Sequence, residues 1–293
     1  MTPNVIADFN AKFATNVRNN TEINLQKCRV IMNKRQIIIA TNEDKLKIQI
    51  KDIIDILKSN IPQRHKALFD ETITLAHQTN DGVKTILIED DEETINKFKE
   101  FVYKLTIGNV PVLIKHPARV GGRVTDEKPR QGTIKLRDGS ILFKTQTGKN
   151  FKIDINSVIH FKRSKRSPDG QKRPTILVKH VGNGDDIMTT LVATKSRDKL
   201  NLIGRYMKSE YSDLKKEVDE INLSNEEKEL LVSIYMTGGD IDYTNVLSGN
   251  TTHVQNVIKR LENKNLIKQG TSKTELTSIG KIVVTENIED VNF

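Results

Sequence analysis

The densest run of chemistry-bearing side chains is Lys162-Arg163-Ser164-Lys165-Arg166-Ser167-Pro168-Asp169-Gly170-Gln171-Lys172-Arg173-Pro174, with six cations against one carboxylate. A planar guanidinium bonds a carboxylate or phosphate through two parallel donors, so such a run suits capture of an anionic partner. A second run, Lys115-His116-Pro117-Ala118-Arg119-Val120-Gly121-Gly122-Arg123-Val124-Thr125-Asp126, brings Arg119 and Arg123. The contact surface expected from both is Arg163, Lys165, Arg166, Lys172 and Arg173, joined by Arg119 and Arg123. A solvated loop with no partner would carry the same residues, and the sequence alone leaves that reading open.

Bond-making chemistry has no comparable constellation. His65, His77, His116, His160, His180 and His253 are scattered. None stands at zinc-ligand spacing from another His or from Cys28. No phosphate-cradling glycine loop or nucleophile elbow is present in the sequence. Glu89-Asp90-Asp91-Glu92-Glu93 could suggest a metal, but compensation of a helix dipole accounts better for carboxylates at a helix start. Catalytic, cofactor-binding and metal-ligating residues are therefore none, and an enzyme is not expected.

Length and charge bound the rest. The 293 residues predict two or three domains. Residues 1–108 hold 16 Lys and Arg against 15 Asp and Glu, residues 109–218 hold 24 against 11, and residues 219–293 hold 7 against 12. The net charge of +9 is thus +1, +13 and −5 along the chain, so the middle attracts anions and the end repels them. No apolar run approaches the roughly 18 residues of a membrane span, so membrane insertion is not expected. Met1 to Asp8 lacks a secretory pattern, and the single Cys28 reads as an inert strand thiol in a reducing cytoplasm.

The elements that must carry these residues are duplicated. Gln36-Ile37-Ile38-Ile39 runs through a polar turn into Lys47-Ile48-Gln49-Ile50, and Ser140-Ile141-Leu142-Phe143 runs the same way into Lys152-Ile153-Asp154-Ile155. The offset is 104 at Ile37/Ile141 and 105 at Ile48/Ile153. Strand-like alternation continues to Glu71–His77 and Lys84–Ile88 in the first copy, and to Thr175–Val178 and Met188–Val192 in the second. Hairpin turns are read at Asn80-Asp81-Gly82 and Gly182-Asn183-Gly184-Asp185. Each copy ends in an amphipathic helix: Ile95, Phe98, Phe101, Val102 and Leu105 line one, and Leu200, Ile203, Met207 and Tyr211 the other, with Ser196 as its cap. Asp213 to Asn222 reads as a charged linker that begins helical.

Beyond it, Asn225–Tyr235 capped by Ser224, a short helix over 241–247, Thr251–Lys264, and strands about a tip at Gly270-Thr271-Ser272-Lys273 give a winged helix-turn-helix pattern. The expected fold is α+β: tandem pleckstrin-homology-like split β-barrels over 1–108 and 109–218, each closed by a C-terminal helix, then a winged-helix domain over 219–293. A winged helix raises an alternative function, a DNA-binding transcriptional regulator acting through residues 222–285. Glu226, Glu227 and Glu229 oppose it, because DNA affinity rests on neutralised phosphates, so nucleic acid is not the expected partner. Anionic lipid is a third candidate, weakened by the lack of a Lys-x-Lys loop between the first strands.

The residues also resemble a known family. Val5-Ile6-Ala7-Asp8-Phe9, Lys115 to Arg119, Gly121 to Asp126, Lys172-Arg173-Pro174, Leu200-Asn201, Gly204-Arg205-Tyr206, Glu210-Tyr211 and Ile288-Glu289-Asp290-Val291-Asn292 are similar to those of the archaeal CheF taxis proteins. The resemblance covers essentially the whole chain. It implies a non-enzymatic adaptor that binds the response regulator CheY, preferentially phosphorylated, and links it to accessory proteins of the archaellum motor. It also implies association with the adaptation proteins CheC and CheD, and a cytoplasmic location at the base of that motor. It supplies no cofactor and no catalytic residue.

Overall fold

The computed structural model describes residues 5–16, 23–58, 71–137, 139–165, 167–182, 186–239, 251–270 and 273–289. The first copy comprises β1 (Val5–Thr15), β2 (Gln26–Asn33), β3 (Gln36–Ala40), β4 (Lys45–Gln49), a 3-10 turn (Ile50–Asp52), β5 (Ile53–Lys58), β6 (Glu71–Thr79), β7 (Gly82–Asp90) and helix α1 (Glu92–Ile107). The second comprises β8 (Pro111–Val120), a short β9 (Arg123–Val124), β10 (Arg130–Arg137), β11 (Ser140–Thr145), β12 (Phe151–Asp154), a 3-10 turn (Ile155–Ser157), β13 (Val158–Ser164), β14 (Thr175–Val181), β15 (Ile187–Ala193) and helix α2 (Arg197–Asp219). Then come α3 (Asn225–Thr237), α4 (Thr251–Asn263), β16 (Ile267–Gln269), β17 (Thr274–Leu276) and α5 (Ser278–Glu289).

The fold is α+β. The two large sheets run β4-β3-β2-β1-β7-β6-β5 and β12-β11-β10-β8-β15-β14-β13, with β9 paired to β8. Neither path closes into a barrel: among the described residues no pairing joins β4 to β5 or β12 to β13. The duplication reaches below the level of strands. The 3-10 turns at Ile50–Asp52 and Ile155–Ser157 lie 105 residues apart. Each is followed by a register shift at matching positions, Ile53/Asp55 and Val158/His160.

Local chemistry explains the elements. Ile37 and Ile39 on β3, and Ile141 and Phe143 on β11, alternate inward and are buried. The β6–β7 turn ends at Gly82, whose φ of +113 few side chains tolerate. Asp91 caps α1, its carboxylate accepting from the Thr94 amide at 2.9 Å and the Thr94 hydroxyl at 2.8 Å. The Ser196 hydroxyl accepts from the Lys199 amide at the start of α2, which runs through most of the expected linker. Ser224 and Glu227 form a reciprocal capping box on α3.

One hydrophobic cluster runs through both sheets, with Phe98 of α1 and Ile203 and Met207 of α2 inside it. Helix α1 packs on β10 of the second sheet and α2 on β5 of the first, and Tyr103 meets Tyr206 edge-on at 5.5 Å. A separate cluster gathers Leu230, Leu231, Val257, Leu261, Ile282 and Val283. Gly239 permits a close approach there, since a Cβ would fall 1.9 Å from the Thr274 carbonyl oxygen. Helix α5 joins this cluster to the second sheet by packing on β13 and the adjacent 3-10 turn. Cys28 is buried on β2, and burial pushes its thiol up to about 11.

Candidate partner-binding surface

The expected cations do not form one patch. Arg163 leaves β13 toward α2, and its guanidinium donates to the Asn201 side-chain oxygen at 2.6 Å. There it lines a groove of about 350 Å³ with Lys162, Arg205 and Lys208. Arg205 is bound through two nitrogens to Asp55 of β5 at 3.2 and 3.3 Å, so this groove lies on the seam between the two sheets. Lys165 and Lys172 are exposed beyond the strand ends. Arg166 lies outside the described residues, as do positions 183–185 of the expected hairpin and the helix expected over 241–247.

Arg173 turns to a different groove. Its Nε stands 3.0 Å from the Asp169 carboxylate. Asp169 also accepts from the Ser167 hydroxyl at 3.1 Å and the Gln171 amide at 3.2 Å. Desolvation works against the Asp169 charge, but those donors and the Arg173 guanidinium outweigh it and hold the carboxyl below its ordinary value. The groove has a volume of about 1120 Å³, and Leu113 and Ala193, paired across β8 and β15, lie on its floor. Lys128, Lys144, Lys195 and Lys199 line it beside Arg173, five cations against the single carboxylate of Asp169. The Lys199 ammonium donates to the Thr106 carbonyl at the end of α1, and burial lowers its pKa. Lys128, Lys144 and Lys195 are exposed and make no ion pair with a described residue.

Arg119 and Arg123 are elsewhere. Arg119 pairs with Val124 and Arg123 with Val120 across the β8–β9 hairpin, so the two point to opposite faces of it. Arg119 is also registered with Thr189, at the far end of β15 from Ala193. That separation is roughly 13 Å at about 3.3 Å per residue. The rest of this run is structural. The Thr125 hydroxyl donates to the Pro117 carbonyl. His116 stacks on Phe151 at 3.8 Å and 7°. Its Nδ1 and Nε2 of His180 share the Thr190 hydroxyl at 2.7 and 3.0 Å. Burial, with His180 beside it, lowers the His116 pKa to about 4, and burial lowers that of His180 as well. Both rings are neutral core groups near pH 7.

Sequence reading missed the four lysines of the larger groove, because they come from separate places: Lys128 before β10, Lys144 near the end of β11, Lys195 after β15 and Lys199 in the first turn of α2. Only the surplus over 109–218 signalled them.

The region from α3 onward holds Arg260 and Lys264 internally. Glu227 is 1% exposed and accepts from Lys264 at 2.8 and 2.9 Å and from Arg260 at 3.3 Å. Arg260 also lies 3.6 Å from Glu226, and His253 3.2 Å from it. Among the described residues no group of three or more His, Cys, Asp or Glu gathers as a metal site. No described helix is long and apolar enough to cross a membrane.

Residues 5–213 match the profile of a family described as Archaeal Chemotaxis signal transduction system protein F. Over its whole length the chain is 33% identical to the whole of taxis protein CheF2 of Halobacterium salinarum. It is 22% identical to taxis protein CheF1 of the same organism, over 97% of each chain. A solved structure of Vav1 with an allosteric inhibitor matches 57% of this chain and 35% of that one, at 8% identity and a TM-score of 0.28, too low to carry an argument.

Proposed function

Since the chain belongs to the archaeal CheF family of chemotaxis signal-transduction proteins, we propose that it is a non-enzymatic adaptor that binds phosphorylated CheY and links it to accessory proteins of the archaellum motor. The observation that carries this reading is the +13 surplus over residues 109–218, much of it facing solvent around the second sheet and α2. A response regulator presents acidic side chains at its phosphorylation site, and phosphorylation adds about −1.5 to −2 charges there. Opposite fields steer encounter and reject wrong partners. Phosphorylation favours binding through the regulator's active conformation rather than by direct phosphate pairing. The same role places the protein in the cytoplasm at the motor base, in contact with CheC and CheD.

We read residues 1–108 and 109–218 as pleckstrin-homology-like units and 219–293 as a winged-helix unit. The repeated strand order with its closing helix supports the first part, and the α3, α4 and β16–β17 succession the second. DNA binding through 222–285 is the weaker alternative, since Arg260 and Lys264 are held by Glu226 and Glu227 instead of being offered to phosphates. The test is binding of phosphorylated CheY to the full chain, with Lys165→Glu/Arg166→Glu alongside. Binding by the native chain that weakens in the variant at low salt is expected. A native chain indifferent to phosphorylated CheY, yet shifting specific duplex fragments, would replace the adaptor reading with the DNA one.

A further inference from the structure

Strand register and helix starts match the two copies position by position. Lys12 pairs with Glu89 as Leu113 pairs with Ala193. The closing helices begin at Glu92 and Arg197, so positions on α1 and α2 correspond at an offset of 105. Asn96 then corresponds to Asn201, and Lys99 to Gly204. On α1 the Lys99 side chain is buried, and its ammonium donates to the Asn96 side-chain oxygen at 3.1 Å. On α2 glycine leaves that place empty, and Asn201 accepts instead from Arg163 of β13 at 2.6 Å. Gly204 lies inside α2, where glycine is among the poorest helix formers. Packing does not demand it, since a Cβ there would meet the Ile176 Cδ1 methyl at 3.6 Å, an ordinary contact. A helix that forgoes a side chain without steric need leaves room for another group beside it.

That room is the groove of about 350 Å³ on the seam between the sheets. Asn201, Gly204, Arg205 and Lys208 form one stripe of α2 at three- and four-residue spacing, and Lys162 and Arg163 of β13 line the groove with them. Four cations thus share one carboxylate, Asp55. The Arg163 guanidinium is held by a neutral amide, which positions it without cancelling its charge. The Arg205–Asp55 bonds of 3.2 and 3.3 Å are looser than the 2.7 and 2.8 Å of Arg29–Asp8. Among the described residues Lys162 and Lys208 have no ion-pair partner. We propose that the seam groove docks an acidic protein segment, one carboxylate side chain of which seats over Gly204 between Arg163 and Arg205. Charge complementarity sets the sign of the occupant, and the missing side chain sets its width, because one side chain enters where Lys99 fills the first copy. A free phosphate would meet solvent-exposed cations, which singly contribute little. Duplex phosphates would use the cations and leave the gap over Gly204 unused. The site takes any protein with such a segment, so it stands apart from the adaptor reading.

The probe is a short fluorescent peptide of glutamate and alanine, titrated into the full chain at low salt, with its glutamine analogue and tripolyphosphate for comparison. Gly204→Lys writes the first copy's residue into the gap and adds a positive charge. It is expected to weaken the glutamate peptide about tenfold, whereas an undirected basic surface would bind that peptide more tightly. Gly204→Ala narrows the gap without changing charge, and should weaken binding about threefold while unfolding at an equal or higher urea concentration. Asp55→Asn removes the competitor for Arg205 and should tighten binding about threefold. These two variants keep the test decisive should Gly204→Lys disturb α2. Amide exchange at residues 161–163 and 201–208 slows in the native chain with peptide bound, which reads the site without any substitution. Gly204→Lys and Gly204→Ala binding as tightly as the native chain, with Asp55→Asn silent, overturns the site in favour of undirected charge. Equal binding of the glutamine peptide overturns it as well. Tighter binding of tripolyphosphate that Gly204→Lys also weakens replaces the protein segment with a phosphoryl ligand. No peptide binding by the native chain, with no protection at those residues, removes this site and leaves the adaptor reading to its own test with phosphorylated CheY.

Discussion

The two sheets share strand order, 3-10 turns, bulges and a groove, yet they dispose of charge in opposite ways. The first sheet's groove, of about 650 Å³, is lined by Lys12, Lys27 and Arg29 against Glu89 and Asp90, and Lys12 pairs with the buried Glu89 at 3.3 Å. In the second, cations stand around an apolar floor with only Asp169 to oppose them. A backbone plan therefore fixes where a concavity forms, and a few substitutions on it decide whether its charges are paired internally or face solvent. The region from α3 onward resembles the first groove in this respect, since Arg260 and Lys264 serve Glu227. Paired charges should register as stability, and outward charges should not.

The most severe way to break this contrast is to write the first groove into the second. Ala193 is fully buried, so Ala193→Glu alone overpacks its site and desolvates a carboxylate there. A loss of ~3–5 kcal/mol is expected. Adding Leu113→Lys supplies the partner that Lys12 gives Glu89, and the double variant should recover part of that loss. Thermal or urea unfolding of the four species in a double-mutant cycle gives the coupling directly. No recovery would mean that the two grooves are not interchangeable despite their register.

The Glu227 cluster sharpens the same contrast from the other side. Burial raises the carboxyl's pKa, but Lys264, the Ser224 amide and Arg260 more than reverse this, and the folded value lies below the ordinary 4.5. A depressed folded pKa contributes stability that is present above the unfolded value and lost as pH falls through the folded one. Glu227→Gln should cost about 2–3 kcal/mol at neutral pH. The variant should also flatten the acid limb of the unfolding curve below pH 4.5, measured by circular dichroism. A Lys144→Glu/Lys195→Glu variant should leave that limb in place.

The sheets also differ in how they hold histidine. His77 faces Ile53 in the first sheet as His180 faces Val158 in the second, and burial lowers both. Only the second adds His116 and the bridging Thr190 hydroxyl. A His with a lowered folded pKa takes up its proton more readily when unfolded. Its stabilising effect is complete above the unfolded value of 6.5 and declines as pH falls toward the folded value of about 4. His116→Gln should remove a stability difference on the order of 1–2 kcal/mol by about pH 5. The equivalent change at His77 should remove less.

Much of this architecture was legible because the repeat reinforced weak local signals. Ile37/Ile141 and Ile48/Ile153 marked strands that either copy alone would leave ambiguous, and the acidic run over 89–93 and Ser196 marked the two helix starts. Strand β8 was hidden by Pro111 and Pro117, which punctuate a strand pattern. Pro117 is accommodated where the β8–β15 register shifts, a position that only the pairing reveals. Helix α5 was hidden by Gly280 and by Ile282, Val283 and Val284, residues with poor helix propensity, and it forms because its apolar side packs inward. The basic run over 162–174 was conspicuous, yet register sends Arg163 to the seam and Arg173 to the groove. Lys128, Lys144 and Lys195 carry no local motif and converge only through sheet pairing.

The smallest stability effect is the sharpest discriminator. Lys144→Ala and Lys195→Ala remove exposed cations that make no ion pair with a described residue, so unfolding free energy should stay within about 0.5 kcal/mol of the native chain. Lys12→Ala removes an equally ordinary lysine from the matching groove, but takes an ion-pair partner from a carboxylate that is 3% exposed. It should destabilise by about 1–3 kcal/mol. Chemical denaturation of the three single variants, under one buffer, is the measurement. If Lys144→Ala matches Lys12→Ala in stability loss, the rim lysine serves the fold as Lys12 does, and the two grooves differ in composition but not in use.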